Sequence, residues 1–456
     1  MATKLRPYQV KVINELRHAL KQGCKSVLLA APTGMGKTVI FSEITRLATQ
    51  RGHTVLILVH RRELIDQASD KLSRIGVDHG IICSGYKPKP SKVQVASVQT
   101  LARRLKLQPF KPRLIIIDEA HHAVPGNTYG KVLNYWPDAL WLGVTATPCR
   151  LDGRGMGQMF QTLILGPSVA DLTAEGHLSP ARLYAPPLKV DLSNVHTRAG
   201  DFANNEAAKA MDRPTITGDA IAHYKRLADG LPGVAFCCNV SHAHSVTASF
   251  RNAGINAETL FGETPKSDRA QIVQDFAHGK LQVLVTVDVV SEGFDCPAAS
   301  VALLLRPTKS EALYLQQVGR VLRPSANKFH AIVLDHVGNI SRHGFPDDER
   351  DWTLNDREKR GSKGGPPAPA VRMCPCCFAA FKPAPVCPEC GHEFQTDRTI
   401  TQTDGELVEL QRRNQRRQVG KARTLEQLLA VAKERGYKPG WAYRLHRARV
   451  DQGWRN

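Results

Sequence analysis

The apolar residues of this chain fall into short β-rich runs that alternate with stretches of helical period. SVLLA at 26–30 is wholly apolar but for its first residue, and residues 38–49 follow it with the spacing of a helix. RLIIIDEA at 113–120 is a second such run, ending in two carboxylates. GVAFCCNV (233–240), LQVLVTV (281–287), VALLLRP (301–307) and HAIVLDHV (330–337) repeat the pattern, with helix patterns at 241–252, 267–278 and 310–322 between them. Near-continuous apolar runs separated by helices predict parallel strands covered on both faces, in doubly wound α/β sheets. The alternation occurs twice, so two such lobes are expected, over residues 1–165 and 166–350.

The turn between the first strand and its helix reads APTGMGKT (31–38). Gly34 and Gly36 allow backbone N–H groups to crowd around an anion at a helix N-terminus. In such a loop Thr33, Gly34 and Gly36 form the cradle, Lys37 reaches the β- and γ-phosphates, and the Thr38 hydroxyl holds Mg²⁺. Ala31 stands where the usual pattern has its first glycine. A strand of this kind delivers its C-terminal residues to the ligand crevice. That position suits Asp118 for a Mg²⁺ contact and Glu119 for orienting and deprotonating a water. His121 and His122 have no further ligand at suitable spacing, so they predict no catalytic metal cluster. In QQVGRVLR (316–323), Gln316, Arg320 and Arg323 fall at i, i+4 and i+7 on one helical face, with Gly319 removing bulk beside Arg320. Solvated acids at a strand end and a solvated basic helix face are the bland alternatives. The order and spacing of the three motifs argue against both.

These motifs, in this order, resemble those of superfamily 2 helicases of the DEAH class over about residues 4–340. The resemblance implies two RecA-like lobes with ATP and Mg²⁺ between them. It implies that Gln9 of LRPYQ (5–9) reads the adenine edge. LVHRREL (58–64) and VASVQTL (95–101) resemble strand-contacting motifs, which carries nucleic-acid contact over to Arg61, Ser97, Gln99 and Thr100. His121 of the DEAH stretch and Thr145 and Thr147 of TAT would couple hydrolysis to strand movement. TVDVVSEGFD (286–295) would supply Thr286 to the strand and Gly293 and Asp295 to the nucleotide. Gln316 would sense the γ-phosphate, and Arg320 and Arg323 would act as arginine fingers, an effect worth ~10³–10⁵ in rate. The zinc-bearing RadD-like and phage-type helicases are the most similar in arrangement. The implied partner is DNA, single-stranded, duplex or branched, in repair, recombination or phage replication. RNA is the alternative track, because the family's motifs contact mainly sugar and phosphate.

Composition narrows the rest. The 456 residues suit two or three domains, and 42% hydrophobic residues suffice for sizeable cores. No run approaches the ~18 apolar residues of a membrane span, and MATKLRPYQ has no apolar signal core, so a cytoplasmic protein of a bacterial or phage-infected cell is expected. Of 11 cysteines, five cluster between 374 and 390, and scattered single thiols elsewhere fit a reducing compartment. Cys374 and Cys377, then Cys387 and Cys390, are two knuckles with nine residues between them. That spacing predicts four thiolates on one structural Zn²⁺ at 373–395, with Cys376 spare; unligated thiols are the alternative. Residues 351–372, which include KRGSKGGPPAPA, read as a linker.

The net charge is +20, and residues 410–456 carry half of it, with 13 Lys/Arg against 3 Asp/Glu. A basic linker at 396–420 is expected to lead into a basic helical module at 421–456. Its Tyr437, Trp441, Tyr443 and Trp454 suit base stacking beside phosphate contacts. They equally suit the core of a small helical hairpin, since Trp441 and Leu445 are spaced i, i+4. One different class of protein is a zinc-ribbon DNA-binding adaptor with weak ATPase. The intact set Lys37, Asp118, Glu119, Arg320 and Arg323 argues against it.

Overall fold

The apolar runs of the first lobe pair as a seven-stranded sheet in the computed structural model. The structure describes residues 5–107, 110–150, 154–186, 192, 195–198, 200–211, 214–287, 297–326, 328–355, 370–394, 422, 424–434, 437 and 440–451. The strands of this sheet are β1 (Ser26–Ala30), β2 (Val55–Val59), β3 (Gly80–Ile82), β4 (Val93–Ser97), β5 (Leu114–Asp118), β6 (Leu140–Thr145) and β7 (Thr162–Leu165). All of them run parallel, in the order β3-β4-β2-β5-β6-β1-β7. β1, β2 and β5 are buried along their whole length, which is why they lack a polar alternate face. α1 (Pro7–Lys21), α2 (Lys37–Gln50) and α3 (Arg62–Arg74) share one core with Val27, Leu29 and Ile57. α4 (Val98–Arg104) and α5 (Thr128–Tyr135) share another with Leu28, Leu56 and Leu58, the residues that alternate with them.

The second sheet has six parallel strands: β8 (Ala181–Tyr184), then, after a short hairpin of β9 (Thr197–Arg198) and β10 (Asp201–Phe202), β11 (Gly233–Phe236), β12 (Ala257–Leu260), β13 (Val283–Thr286), β14 (Val301–Leu304) and β15 (Ala331–Asp335). Their order is β12-β13-β11-β14-β15-β8. The helices of this lobe are α6 (Val169–Ala174), α7 (Asn204–Met211), α8 (Pro214–Ala228), α9 (Val240–Asn252), α10 (Lys266–Ala277), α11 (Glu311–Val321) and α12 (Asn339–His343). Side-chain caps start several of them: Asn239 accepts from His242 N–H at 2.9 Å for α9, and Ser310 from Leu313 N–H at 3.3 Å for α11.

The cysteine module, with its two-stranded ribbon β16 (Arg372–Met373) and β17 (Ala380–Phe381), docks on β8, the edge of the second sheet. Ala185 N–H donates to the Phe378 carbonyl at 2.8 Å, and Tyr184 bridges to Ala379, so the ribbon covers an edge that would otherwise be open. Cys374, Ala379 and Cys387 belong to the same buried cluster as Tyr184, Tyr224 and Ile332. Phe378 takes a left-handed φ of 67°, at the place after its knuckle that Gly391 (φ 73°) fills in the other. Its ring holds the junction, with the Arg226 guanidinium 4.9 Å above it and His223 edge-on at 5.3 Å.

The chain divides into two compact units, residues 1–394 and 395–456. In the second, helices Leu425–Glu434 and Gly440–Asp451 enclose Leu428, Ala432 and Ala442, with Trp441 and Leu445 packed against them and Tyr443 exposed. The spacing of Trp441 and Leu445 is thus that of a hairpin core; Trp454 and, apart from Ala422, the stretch QRRNQRRQVGKAR lie outside the described residues. No helix of the described residues is long and apolar enough to cross a membrane.

Beneath the ribbon, His336 stacks on His223 at 5.2 Å, and both of its ring nitrogens are buried without a hydrogen-bond partner among the described residues. Burial, followed by the nearby His223, pushes its pKa down to about 3. The unfolded chain takes up a proton near pH ~6.5 that the folded chain refuses, so stability declines as pH falls from about 6.5 towards 3. His336→Phe is expected to raise the unfolding free energy by about 1 kcal/mol at neutral pH by removing an unpaired donor. The gain should grow by roughly 1.4 kcal/mol for each pH unit below ~6.5. Thermal unfolding at pH 8, 7 and 6 measures both.

Candidate active site

The first strand ends at Ala30, and the chain then turns through Gly34 (φ 89°) and Gly36 (φ 84°) into α2. Both glycines are required twice over. Their φ values disfavour any side chain, and a Cβ at Gly36 would lie 2.7 Å from the Gln9 amide nitrogen, while one at Gly34 would strike Leu178. The resulting loop presents the N-terminus of a 14-residue helix to an anion. Gln9 braces it: its amide donates to the Met35 carbonyl at 3.0 Å and its oxygen accepts from Arg6 N–H at 3.0 Å.

Lys37 extends from this loop to Glu119, Nζ to Oε1 2.9 Å. Glu119 follows the last residue of β5 and takes a left-handed φ of 48°, which bends its carboxylate back to the loop. Asp118 accepts the Glu119 backbone N–H at 3.0 Å, and both acids are 7% exposed. The second lobe closes the cleft with α11. Gln316, Arg320 and, just beyond the helix, Arg323 face Thr33, Gly34, Gly36, Lys37, Thr38, Asp118 and Glu119 across about 360 Å³. The buried side-chain nitrogen of Gln316 has no hydrogen-bond acceptor among the described residues, so it remains available to an oxygen in the cleft. Gly319 makes the approach possible: a Cβ there would lie 2.6 Å from Thr33 Oγ1. Its close contact is therefore with the phosphate loop itself, where the sequence suggested a ligand.

The donor set, the positive helix end and two carboxylates at one cleft fit a nucleoside triphosphate with Mg²⁺, for which Thr38 and Asp118 both line the cleft. The model of the type III restriction enzyme res subunit matches residues 2–150, and that of the helicase conserved C-terminal domain matches residues 222–325. A 51.5 kDa protein of a Lactococcus phage is 36% identical over 371 residues, covering 81% of this chain and 78% of its own length. The chain belongs to the superfamily 2 helicases. The putative ATP-dependent helicase IRC3 of Saccharomyces cerevisiae is 32% identical over 361 residues, 75% of this chain. The chain spans only 52% of that relative's length. A solved fragment of a putative HsdR subunit of a type I restriction enzyme from Vibrio vulnificus shares the fold, with TM-score 0.59 and 23% identity over 75% of this chain and 67% of the fragment.

The helicase's other expected site residues divide into four groups. Arg61, at the end of β2, and Ser97, Gln99 and Thr100, at the end of β4, share the C-terminal edge of the first sheet with the phosphate loop. Ser97 caps α4, and Gln99 reaches the His60 carbonyl at 3.4 Å. His121 links inward from this edge, 3.5 Å from Glu119 Oε2 and 3.0 Å from Thr145 Oγ1, which donates to the Thr147 carbonyl at 2.9 Å. Thr286 is 1% exposed, its hydroxyl donating to the Leu260 carbonyl at 3.0 Å, because it is the last residue of a strand covered on both faces. Gly293 and Asp295 lie outside the described residues.

Arg6 and His177 also line the cleft. Arg6 donates to Tyr8 Oη at 2.8 Å, and the Tyr8 and His177 rings are 5.5 Å apart. Arg6 sits inside the LRPYQ motif and was within reach of sequence reading. His177 follows α6 in a connecting segment with no pattern of its own.

The sulfurs of Cys374, Cys377, Cys387 and Cys390 all lie within 4.8 Å of one another, a cluster compatible with one metal ion. Burial opposes ionisation of Cys374, but the backbone N–H groups of Cys377 and Cys376, together with the Cys390 and Cys377 thiols, hold it below the ordinary thiol value. Cys376 is exposed and outside the cluster.

Gly319→Ala should hold α11 away from Thr33 and leave the lobes apart. Fluorescence energy transfer between dyes on the two lobes should fall relative to the parent protein with an ATP analogue bound. An unchanged transfer efficiency would mean that the Gly319–Thr33 approach does not limit closure.

Proposed function

We propose that this chain is an ATP-driven DNA motor, coupling hydrolysis to movement along DNA, its remodelling or its unwinding, in DNA repair, recombination or phage replication in the cytoplasm of a bacterial or phage-infected cell. One observation carries the proposal: Lys37 and Glu119 of one lobe and Gln316 and Arg320 of the other converge on a single cleft. The restriction-enzyme descriptions of the first family model and of the solved fragment support DNA as the track, as does the +20 charge.

On this assignment the ATP phosphates rest on the backbone N–H groups of residues 33–38, and Lys37 exchanges Glu119 for β- and γ-phosphate oxygens. Glu119, released from that ion pair, accepts a proton from the water attacking the γ-phosphorus while the bond to the ADP oxygen breaks. Thr38 and Asp118 would hold Mg²⁺, which neutralises phosphate charge. Arg320 and Arg323 act on the transferred phosphoryl group from the opposite lobe, so turnover requires closure. Gln9 reads the adenine edge from its place on the loop. His121, Thr145 and Thr147 pass the state of Glu119 to the sheet edge where Arg61, Ser97, Gln99 and Thr100 meet the strand, and Gly293 and Asp295 contribute to the nucleotide from the second lobe. Thr286, enclosed and bonded to the Leu260 carbonyl, supports the second sheet's edge from within and does not touch the nucleic-acid strand. The cysteine module holds Zn²⁺, and the basic C-terminal unit adds DNA affinity.

Glu119→Gln should bind ATP normally and lose about 10²–10⁴-fold in turnover. Arg320→Ala should lose ~10³-fold or more of DNA-stimulated turnover at nearly unchanged ATP affinity. Steady-state ATPase assays with and without DNA, paired with binding of a fluorescent ATP analogue, decide both; near-normal turnover by folded Glu119→Gln would refute its role.

Metal analysis of the purified protein should find one zinc per chain. Because the cluster shares a core with the second lobe, Cys387→Ser should release the metal and also lower the thermal stability of that lobe. Zinc-free protein, or full zinc after loss of Cys387, would overturn the assignment.

A further inference from the structure

The segment after α12 leaves the second lobe and returns to the first. It is anchored by Arg350, whose side chain is 6% exposed. Its Nε donates to Glu311 Oε1 at 2.9 Å, and its guanidinium also reaches the carbonyls of Asp348 at 2.7 Å and Phe345 at 2.8 Å. Glu311 is the first residue of α11, the helix that carries Gln316 and Arg320. From this knot the chain passes Trp352, which lines a cavity of about 260 Å³ between α11 and the phosphate loop. It ends on the first lobe: Leu354 packs against the cluster containing Met156, Met159 and Phe160, and its carbonyl accepts from Gly157 N–H at 2.8 Å. Gly155 leaves room for it, since a Cβ there would run into the Leu354 carbonyl.

We propose that Arg350 is a positioning residue for ATP turnover, and that residues 345–355 form a strap fixing the start of α11 relative to the first lobe. The inference rests on the reading of Arg320 as a group acting across the cleft. Lobes joined by one connection rotate freely about it; a second crossing removes much of that freedom and lowers the entropy lost on closure. The strap's lobe 2 end is a buried, charge-assisted knot at the helix that must be aimed, and its lobe 1 end is an apolar seat. Without it, the closed placement of Arg320 is populated less often and turnover falls in proportion. ATP binding, which depends chiefly on the phosphate loop, stays.

The test compares Leu354→Asp, which removes the seat, Gly155→Ala, which crowds the strap from the opposite lobe, and Arg350→Ala, which cuts the anchor. Each is made in the full chain and checked for folding by thermal unfolding. An unstructured single strand and a forked duplex, both saturating, serve as the DNA. Misplacement of a catalytic group by an ångström costs on the order of 10²-fold. The expected result is therefore a fall in kcat of about 10–100-fold for each variant, with KM for ATP within about twofold of the parent. In an Arg320→Ala background the same changes should produce little further loss, because they act through that arginine. Full kcat in folded Leu354→Asp and Gly155→Ala, or a fully additive loss on top of Arg320→Ala, would overturn the strap. Full turnover by Arg320→Ala alone would instead remove the reading of the arginine, and this inference with it.

Discussion

At Gly319 the arginine helix of the second lobe comes so close to Thr33 that no side chain fits between them. This approach governs the cleft, because neither lobe holds a complete site. The first supplies a positive helix end, a lysine and two carboxylates. The second supplies a glutamine with an open donor and two arginines. Parallel sheets make such a division practical: all strands of a sheet end at one edge, so residues far apart in sequence converge there. Two edges facing each other form a site whose completeness depends on the distance between them.

The interlobe contact is reinforced on more than one side. Glu63 of α3 pairs with Arg269 of α10, which also holds the carbonyls of Phe261 and Gly262. The return crossing through Leu354 lies on another flank. The cysteine module lies on the outer strand of the second sheet, where it pairs with an edge that would otherwise be open, and its Lys382 Nζ reaches Asp348 of the return crossing at 3.2 Å. A module this short, residues 373–395, cannot enclose a core of its own. Sharing the core of Tyr184 and Tyr224 makes it part of the lobe in the mechanical sense.

Much of this was legible along the chain. The apolar runs at 26–30, 301–307 and 330–337 became strands within a few residues of their expected limits, because a strand buried on both faces has to be apolar throughout. The phosphate loop announced itself through Gly34 and Gly36, whose backbone geometry other residues resist. The cysteine spacing led to four sulfurs in one place because each knuckle is a local turn. Contacts without a local signature were hidden. His177 and Arg350 carry no periodicity, and the segment beginning at 351 read as a linker although Leu354 seats on the first lobe.

The sequence by itself determined what is set within a few neighbouring residues: strands from apolar runs, helices from period and caps, the loop from its glycines, the knuckles from cysteine spacing. Tertiary structure alone decided what depends on distance through space. It placed Gly319 against Thr33, turned Glu119 onto Lys37, enclosed Thr286, laid the cysteine module on β8 and carried Leu354 back to the first lobe. The reason is physical. Local propensities are short-ranged and act through the backbone, whereas these contacts join residues tens to hundreds of positions apart, and only the packed arrangement of both sheets brings them together.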